Sequence, residues 1–561
     1  MKYDLVLKNI NYLDIKSHSF QKADVAIKDG YIKEISKNLT GTINKECTSK
    51  YLVPGFIDSH IHLESSIINP VDFTKMVSSH GTTAVVIDPH EIANVSGIDG
   101  IKWMLEKTKN LPVEVYVMIS SCVPATSFDE SACTLDSNDI AKCYDLDNTG
   151  RILGLAEMMN YPGVINNDEE VLRKIKITKN RNLRVDGHAP GLTGEDFEKY
   201  LLAGIESDHE CRTLKEATDK LDLAIKHNQD FYIMVREGTA AKNLEALYEL
   251  INIDKYKEWV TFATDDKHPE EIYEDGHIDH IIRKAIKLGA NPVDVYITAS
   301  YNAAKYFRLE NIGSIEPNKK ANLVILSNLE ECTIEEVYKE GIKLTEEIIN
   351  NWEPNKVDSS LEQKVRNRIN MAPVTPKNFE CKGIPKKVIG LVSKELITTD
   401  EGQSTDYQLD KDIIKMVVIE PHIGTMHTGI CYLKGLGLKS GAIGTTVSHD
   451  SHYCIVAGTN DEDISLAVNE IRKMQGGKIV VRDGKVLEQL PLPISNLMTD
   501  ISPLEVVDKM KKMKEYADIT NKEVDPFMNL SFLSLAVIGE LRLLPGGVFD
   551  VNNWNFIKER I

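Results

Sequence analysis

Between about residues 54 and 310 the chain alternates short apolar runs with helical stretches, and nearly every apolar run stops at a polar residue fit for metal or proton chemistry. The runs end at His60 and His62, at Asp88, at Ile119, at Glu157, at His188, at His209, at Glu237 and at Asp265. Eight strands, each followed by a helix, predict a (β/α)8 TIM-type barrel, in which the carboxyl strand ends converge on one site. A doubly wound open sheet would gather its ligands at a single crevice and would not draw on so many strands.

The flanks read differently. Residues 5–9 and 26–32 predict strands, with Asp29-Gly30 as a hairpin turn. A turn at 313–317 and a strand at 321–326 supply their partners. Residues 1–53 and 311–358 are therefore expected to form one small β-sandwich domain flanking the barrel (54–310), the second part running into a polar, proline-containing linker at 352–358. Residues 359–561 predict an additional C-terminal α/β domain. Its strands include 415–419 and 477–481, the latter turning at Asp483-Gly484, and 461–474 has the pattern of an amphipathic helix. No repeat or low-complexity segment is found.

Composition narrows the partners. A net charge of −19 disfavours nucleic acid and anionic membrane, because no basic excess exists to offset phosphates. Neither a signal peptide nor a membrane-spanning run is read from the sequence. Nine dispersed cysteines without a C-x-x-C pair read as reduced thiols, so a cytoplasmic protein is expected. A homo-oligomer, a dimer, is also expected.

Candidate chemistry starts in Pro54-Gly55-Phe56-Ile57-Asp58-Ser59-His60-Ile61-His62-Leu63-Glu64. A turn releases a short strand, and alternation points His60 and His62 the same way at its end. Two imidazoles on one side make half of a divalent-metal site. Glu157, whose two oxygens suit it to bridge cations, His188, His209 and Asp265 stand at other strand ends. Four histidines and two carboxylates suffice for a two-metal site, whose cations sit about 3.5–4 Å apart and activate a hydroxide. His90-Glu91 follows the second strand, within reach of a substrate. His449-Asp450-Ser451-His452, in the C-terminal domain, is expected to fold over the barrel mouth as a water-excluding cap.

These motifs resemble one family. Pro-Gly-Phe-Ile-Asp-Ser-His-Ile-His-Leu-Glu-Ser-Ser (54–66), Asp-Pro-His-Glu-Ile-Ala-Asn-Val-Ser-Gly (88–97), Gly-Leu-Ala-Glu-Met-Met-Asn (154–160), Asp-Gly-His-Ala-Pro-Gly (186–191), Ser-Asp-His-Glu (207–210), Arg-Glu-Gly (236–238), Thr-Asp-Asp-Lys-His-Pro (264–269) and Ser-His-Asp-Ser-His (448–452) are similar to those of the adenine deaminases of the amidohydrolase superfamily. The resemblance runs over essentially the full chain. It implies that His60, His62 and Asp265 hold one metal, that His188 and His209 hold the other, and that Glu157 bridges them where many relatives use a carbamylated lysine. It implies two divalent cations, manganese or iron, with zinc compatible. The implied reaction is hydrolytic deamination of adenine to hypoxanthine and ammonia, with Asp265 taking the proton of the attacking water. The acid that protonates the purine ring stays open. Monomeric adenosine deaminases use His-Ala-Gly-Glu, whereas this chain has His188-Ala189-Pro190-Gly191, and Glu91, Glu237 and Glu64 are the candidates.

Three other readings compete. A cyclic amide hydrolase of the dihydroorotase or hydantoinase type would use the same ligands. A non-catalytic scaffold would have lost ligands, but all six positions hold competent residues. A polynucleotide or cytidine deaminase shares the His62-Leu63-Glu64 pattern but needs a P-C-x-x-C that is missing here.

Overall fold

The structure is a computed structural model and describes residues 2–239, 241–392 and 395–558. All eight expected barrel strands are present: Phe56–Ile61, Thr82–Ile87, Glu114–Ile119, Ile152–Met158, Arg184–Gly187, Ser207–Asp208, Tyr232–Arg236 and Val260–Ala263. They run parallel in two arcs, the first five strands in one and the last three in the other. Nearly every strand residue is buried, as both faces of a barrel sheet are covered.

Two seams close the circle. At one, Asp265 N donates to the His60 carbonyl (2.9 Å) and His62 N to the Asp265 carbonyl (3.3 Å), while Thr264 N donates to buried Asp58 (3.1 Å). The first and last strand ends, and the site residues on them, are thereby held side by side. At the other, Glu206 N donates to the Val185 carbonyl (2.9 Å), and Gly187 N to Ser207 Oγ (3.2 Å). A Cβ at Gly187 would sit 2.2 Å from the Ser207 carbonyl oxygen, so glycine is what lets this seam shut.

The segments flanking the barrel meet in one eight-stranded sheet, ordered Ile342–Lys343, Thr333–Lys339, Leu323–Asn328, Tyr51–Pro54, Tyr3–Asp14, Ser19–Lys28, Tyr31–Ser36, with Gly41–Glu46 also beside Tyr3–Asp14. The long strand Tyr3–Asp14 branches: its first half pairs with Gly41–Glu46, its second with Tyr51–Pro54. The wings share a core containing Leu7, Val25, Leu52 and Leu323.

The C-terminal region builds a mainly antiparallel eight-stranded sheet, with helix Asp461–Met474 packed on it and helix Pro503–Ala517 along its edge. The helix reading of 461–474 is met at both ends. Asn460 caps it by accepting from Asp463 N, and Gln475 ends it in a left-handed conformation. Ile67 and Ile68 of the barrel lie in this region's core, and Ile494, Leu497 and Met498 lie in the barrel's. This shared packing fixes the C-terminal sheet against the barrel mouth. Among the described residues none of the nine cysteines forms a disulfide. Among the described residues no helix is long and apolar enough to cross a membrane.

Candidate metal centre and active site

The His60-x-His62 pair follows directly from strand alternation, with the rings 4.7 Å apart and edge to face. His62 Nδ1 lies 3.1 Å from the Asp88 carbonyl, which only accepts, so Nδ1 carries the hydrogen. Its Nε2 is left as a lone pair. That lone pair faces His60 Nε2 (3.2 Å), Asp265 Oδ1 (3.1 Å) and Glu157 Oε1 (3.2 Å). The two carboxylate oxygens and the His62 lone pair only accept, so a proton, on His60 Nε2 or added, or a cation must stand among them. A second focus lies on the other side of Glu157. Its Oε2 meets His188 Nδ1 (2.8 Å) and His209 Nε2 (3.2 Å), and Glu210 Oε1 is 3.6 and 3.5 Å from those nitrogens. Glu157 thus turns one oxygen to each focus. Nitrogen and carboxylate donors at this spacing fit two divalent cations.

The electrostatics say the same in protons. Burial disfavours the charged imidazoles, yet Asp265 and Glu157 drive His62 well above its ordinary value, and Glu157 lifts His209 to about 9. His60 goes the other way, pushed down by burial and by His209 and His62. Burial would raise Glu157, but hydrogen bonds from His188, His209 and His62 hold it well below the carboxylate range. Protons occupy positions suited to cations, so cation uptake displaces them.

Further out, charged pairs fix the residues of the two foci. Arg236 bonds Glu210 through both terminal nitrogens and Asp265 Oδ2 through one, spanning the two foci. Below the second focus lies Lys220, fully buried. Its Nζ donates to the Ala189 carbonyl (2.8 Å) and pairs with Asp208 (2.8 Å) and Glu216 (2.8 Å), while Ala189 N donates to Asp208 (3.0 Å). The residues next to His188 and His209 are locked together this way. Lys220→Met strands two buried carboxylates, and a stability loss of about 3–5 kcal/mol with reduced cation occupancy is expected. Thermal melts and metal analysis check it, and an unchanged Tm would remove the lock.

The foci open into a cavity of about 550 Å³. His62, His90, Glu157, His188, His209 and Asp265 line it from the barrel, and His449, Asp450, Phe532, Leu535 and Ile538 from the C-terminal region. His449 lies 4.4 Å from Phe532, ring stacked on ring, and its Nδ1 is 2.8 Å from Glu91. Burial opposes its charge, but Glu91 and Asp266 raise it to about 9. Asp450 Oδ1 faces His90 Nε2 at 3.6 Å, and His90 Nδ1 is 3.1 Å from Asp88.

Four sequence candidates lie outside both the foci and the cavity. His452 is wholly buried outside the cavity, where its Nδ1 accepts from Ser448 N (3.4 Å) and burial pushes it down to about 3. Glu237 does not line the cavity but pairs with Lys284 (2.7 Å). Glu64 turns to the start of helix His90–Lys107, accepting from Ile92 N (3.1 Å), and burial beside Glu91 raises it to about 8. Glu91 also stays out of the cavity, beside His449 and Asp266, which line it.

Sequence reasoning assigned no role to Glu210, Asp266 or Arg236, although all three stand in quoted motifs. In a strand, the neighbour of an inward residue points outward. Glu210 and Asp266 lie past their strand ends, where alternation no longer holds. A second acid right behind a candidate ligand, in His209-Glu210 and Asp265-Asp266, was the available signal. Phe532 had no motif at all.

An eight-stranded parallel barrel with two imidazole and carboxylate foci at its carboxyl end is the architecture of a metal-dependent hydrolase. The amidohydrolase family model matches residues 51–359, and a model for the adenine deaminase C-terminal domain matches residues 391–555. An adenine deaminase of Clostridium acetobutylicum is 41% identical over 99% of this chain and 97% of its own, and adenine deaminase 2 of Carboxydothermus hydrogenoformans is 39% identical over 99% and 96%. The chain belongs to the adenine deaminase family of the amidohydrolases.

Proposed function

We propose that this chain hydrolyses adenine to hypoxanthine and ammonia, using two divalent cations, manganese or iron, with zinc compatible. The observation that carries the reading is the cavity itself: cation foci on one side, and the stacked His449–Phe532 pair of the adenine deaminase C-terminal region on the other. A flat heteroaromatic ring fits between an apolar aromatic face and a polar floor.

Cations bound at the foci would lower the pKa of water enough to supply hydroxide near neutral pH. The chain's own groups do the rest. Asp265, kept anionic by Arg236 and His62 against the pull of burial, accepts the proton released by the nucleophile and relays it to the departing amine at C6. Attack at C6 throws negative charge onto N1. His449, held as an imidazolium by Glu91, is the donor that protonates it, and Glu91 thereby acts through His449 rather than on the ring. Asp450 and His90 close the wall beside it, and the apolar side keeps bulk water out.

The test is steady-state turnover of adenine beside adenosine, guanine and dihydroorotate, with manganese and iron supplied separately. Ammonia and hypoxanthine from adenine alone are expected. Opening of dihydroorotate with adenine untouched would transfer the chain to the cyclic amide hydrolases.

A further inference from the structure

Arg542 lies on strand Leu541–Leu544 of the C-terminal region and is completely buried, yet among the described residues no acidic side chain pairs with it. Its Nε donates to the Ile538 carbonyl (2.6 Å), and its Nη2 to the carbonyls of Leu396 (2.6 Å) and Gly539 (3.2 Å). Nη1 has no partner among the described residues. Burial alone pushes the guanidinium down to about 9.

A buried charge without a counterion is destabilising by several kcal/mol, and an apolar side chain of similar length would avoid that cost. What the guanidinium supplies is a tie between distant stretches of chain. Leu396, Ile538 and Gly539 all line the active-site cavity. Thr398 adds a second tie next door: its N donates to the Gly539 carbonyl (3.1 Å), its hydroxyl donates to the Leu541 carbonyl (2.7 Å) and accepts from Leu541 N (3.0 Å). The tied stretches carry the apolar half of the cavity, where Leu396, Val537 and Ile538 pack against Phe532 and Leu535. Arg542 touches neither the cation foci nor His449.

We propose that Arg542 is a positioning residue for the substrate: by gripping the carbonyls of Leu396, Ile538 and Gly539 it sets the apolar wall against which the ring lies, and so governs substrate affinity rather than the chemical step. This rests on the adenine reading above. The experiment uses the full chain reconstituted with manganese and compares wild type, Arg542→Met and Thr398→Val for kcat and KM on adenine, metal content, and inhibition by unsubstituted purine, which has no amine to lose. In Arg542→Met, KM and the purine inhibition constant are expected to rise together by about tenfold or more, with kcat within about threefold and cation content unchanged. Thr398→Val keeps the charge, removes the hydroxyl bonds of the second tie and is expected to shift the same two constants by less. Thr398→Val carries the test if Arg542→Met does not fold. Unchanged KM and purine inhibition in folded variants overturn the proposal, as does a fall in kcat alone or a loss of cations. Failure of the adenine reading is seen separately, as absence of turnover in the wild type.

Discussion

Glu157→Gln is expected to give a folded protein that binds cations poorly and turns over adenine about 10³-fold more slowly or worse. The substitution keeps shape and removes charge. One carboxylate oxygen serves each focus, so a single change weakens both at once. An amide presents one oxygen and one NH2 group, and the NH2 offers a cation hydrogens in place of a lone pair. Losing several kcal/mol of transition-state stabilisation, at about 1.4 kcal/mol per tenfold, gives the predicted factor. The decisive readout is not activity. Manganese at about 100 times its dissociation constant should stabilise the wild type by about 2.7 kcal/mol per site in thermal or denaturant unfolding, and should stabilise Glu157→Gln much less. Retention of two cation equivalents in the variant, with normal stabilisation, would mean that Glu157 does not join the foci.

How much of this site was legible beforehand depended on how each residue is placed. His60, His62, Glu157, His188, His209 and Asp265 sit at or next to strand ends, and the strand pattern alone puts such positions on one side of a barrel. Their convergence was therefore readable. The acids failed for a different reason. Glu64, Glu91 and Glu237 all follow site residues or strand ends, and nothing in a linear sequence tells which way a residue turns once its strand has stopped. Lys284, on helix Ile278–Leu288, claims Glu237, and the first turn of helix His90–Lys107 claims Glu64. Each partner is remote in sequence. The cap was half readable. His449 and Asp450 reach the cavity, while His452, three residues from His449, turns into the C-terminal core. The small β unit was expected from the Asp29-Gly30 hairpin signal and the strand patterns, but the branching of Tyr3–Asp14 is a matter of long-range pairing that local pattern does not carry.

His449→Asn is expected to lower kcat by roughly 10²–10⁴, the usual worth of a well-placed proton donor, with cation content intact because no ligand is touched. The pH profile separates this from a mere loss of packing on Phe532. In the protein the imidazolium persists to about 9, sustained by Glu91 and Asp266 against burial. A required acid gives activity that holds below its pKa and falls above it, so the wild type should show an alkaline limb. Cations at the neighbouring foci favour loss of that proton, which places the limb at or below about 9 in the loaded enzyme. His449→Asn should lack the limb. Stability carries the same sign. A group whose folded pKa is raised contributes fully below its unfolded value of about 6.5, and that contribution fades as pH climbs through the folded value. The stability gap between wild type and variant, measured by denaturant unfolding without added metal, should therefore be widest below about pH 6.5 and close as pH approaches and passes about 9. The variant also leaves Glu91 buried without its cation, so part of the low-pH gap should survive in Glu91→Gln, whose amide can still bond the ring but cannot hold its charge. A variant that keeps both its alkaline limb and most of its kcat would take the proton donor away from the C-terminal region and return it to the barrel.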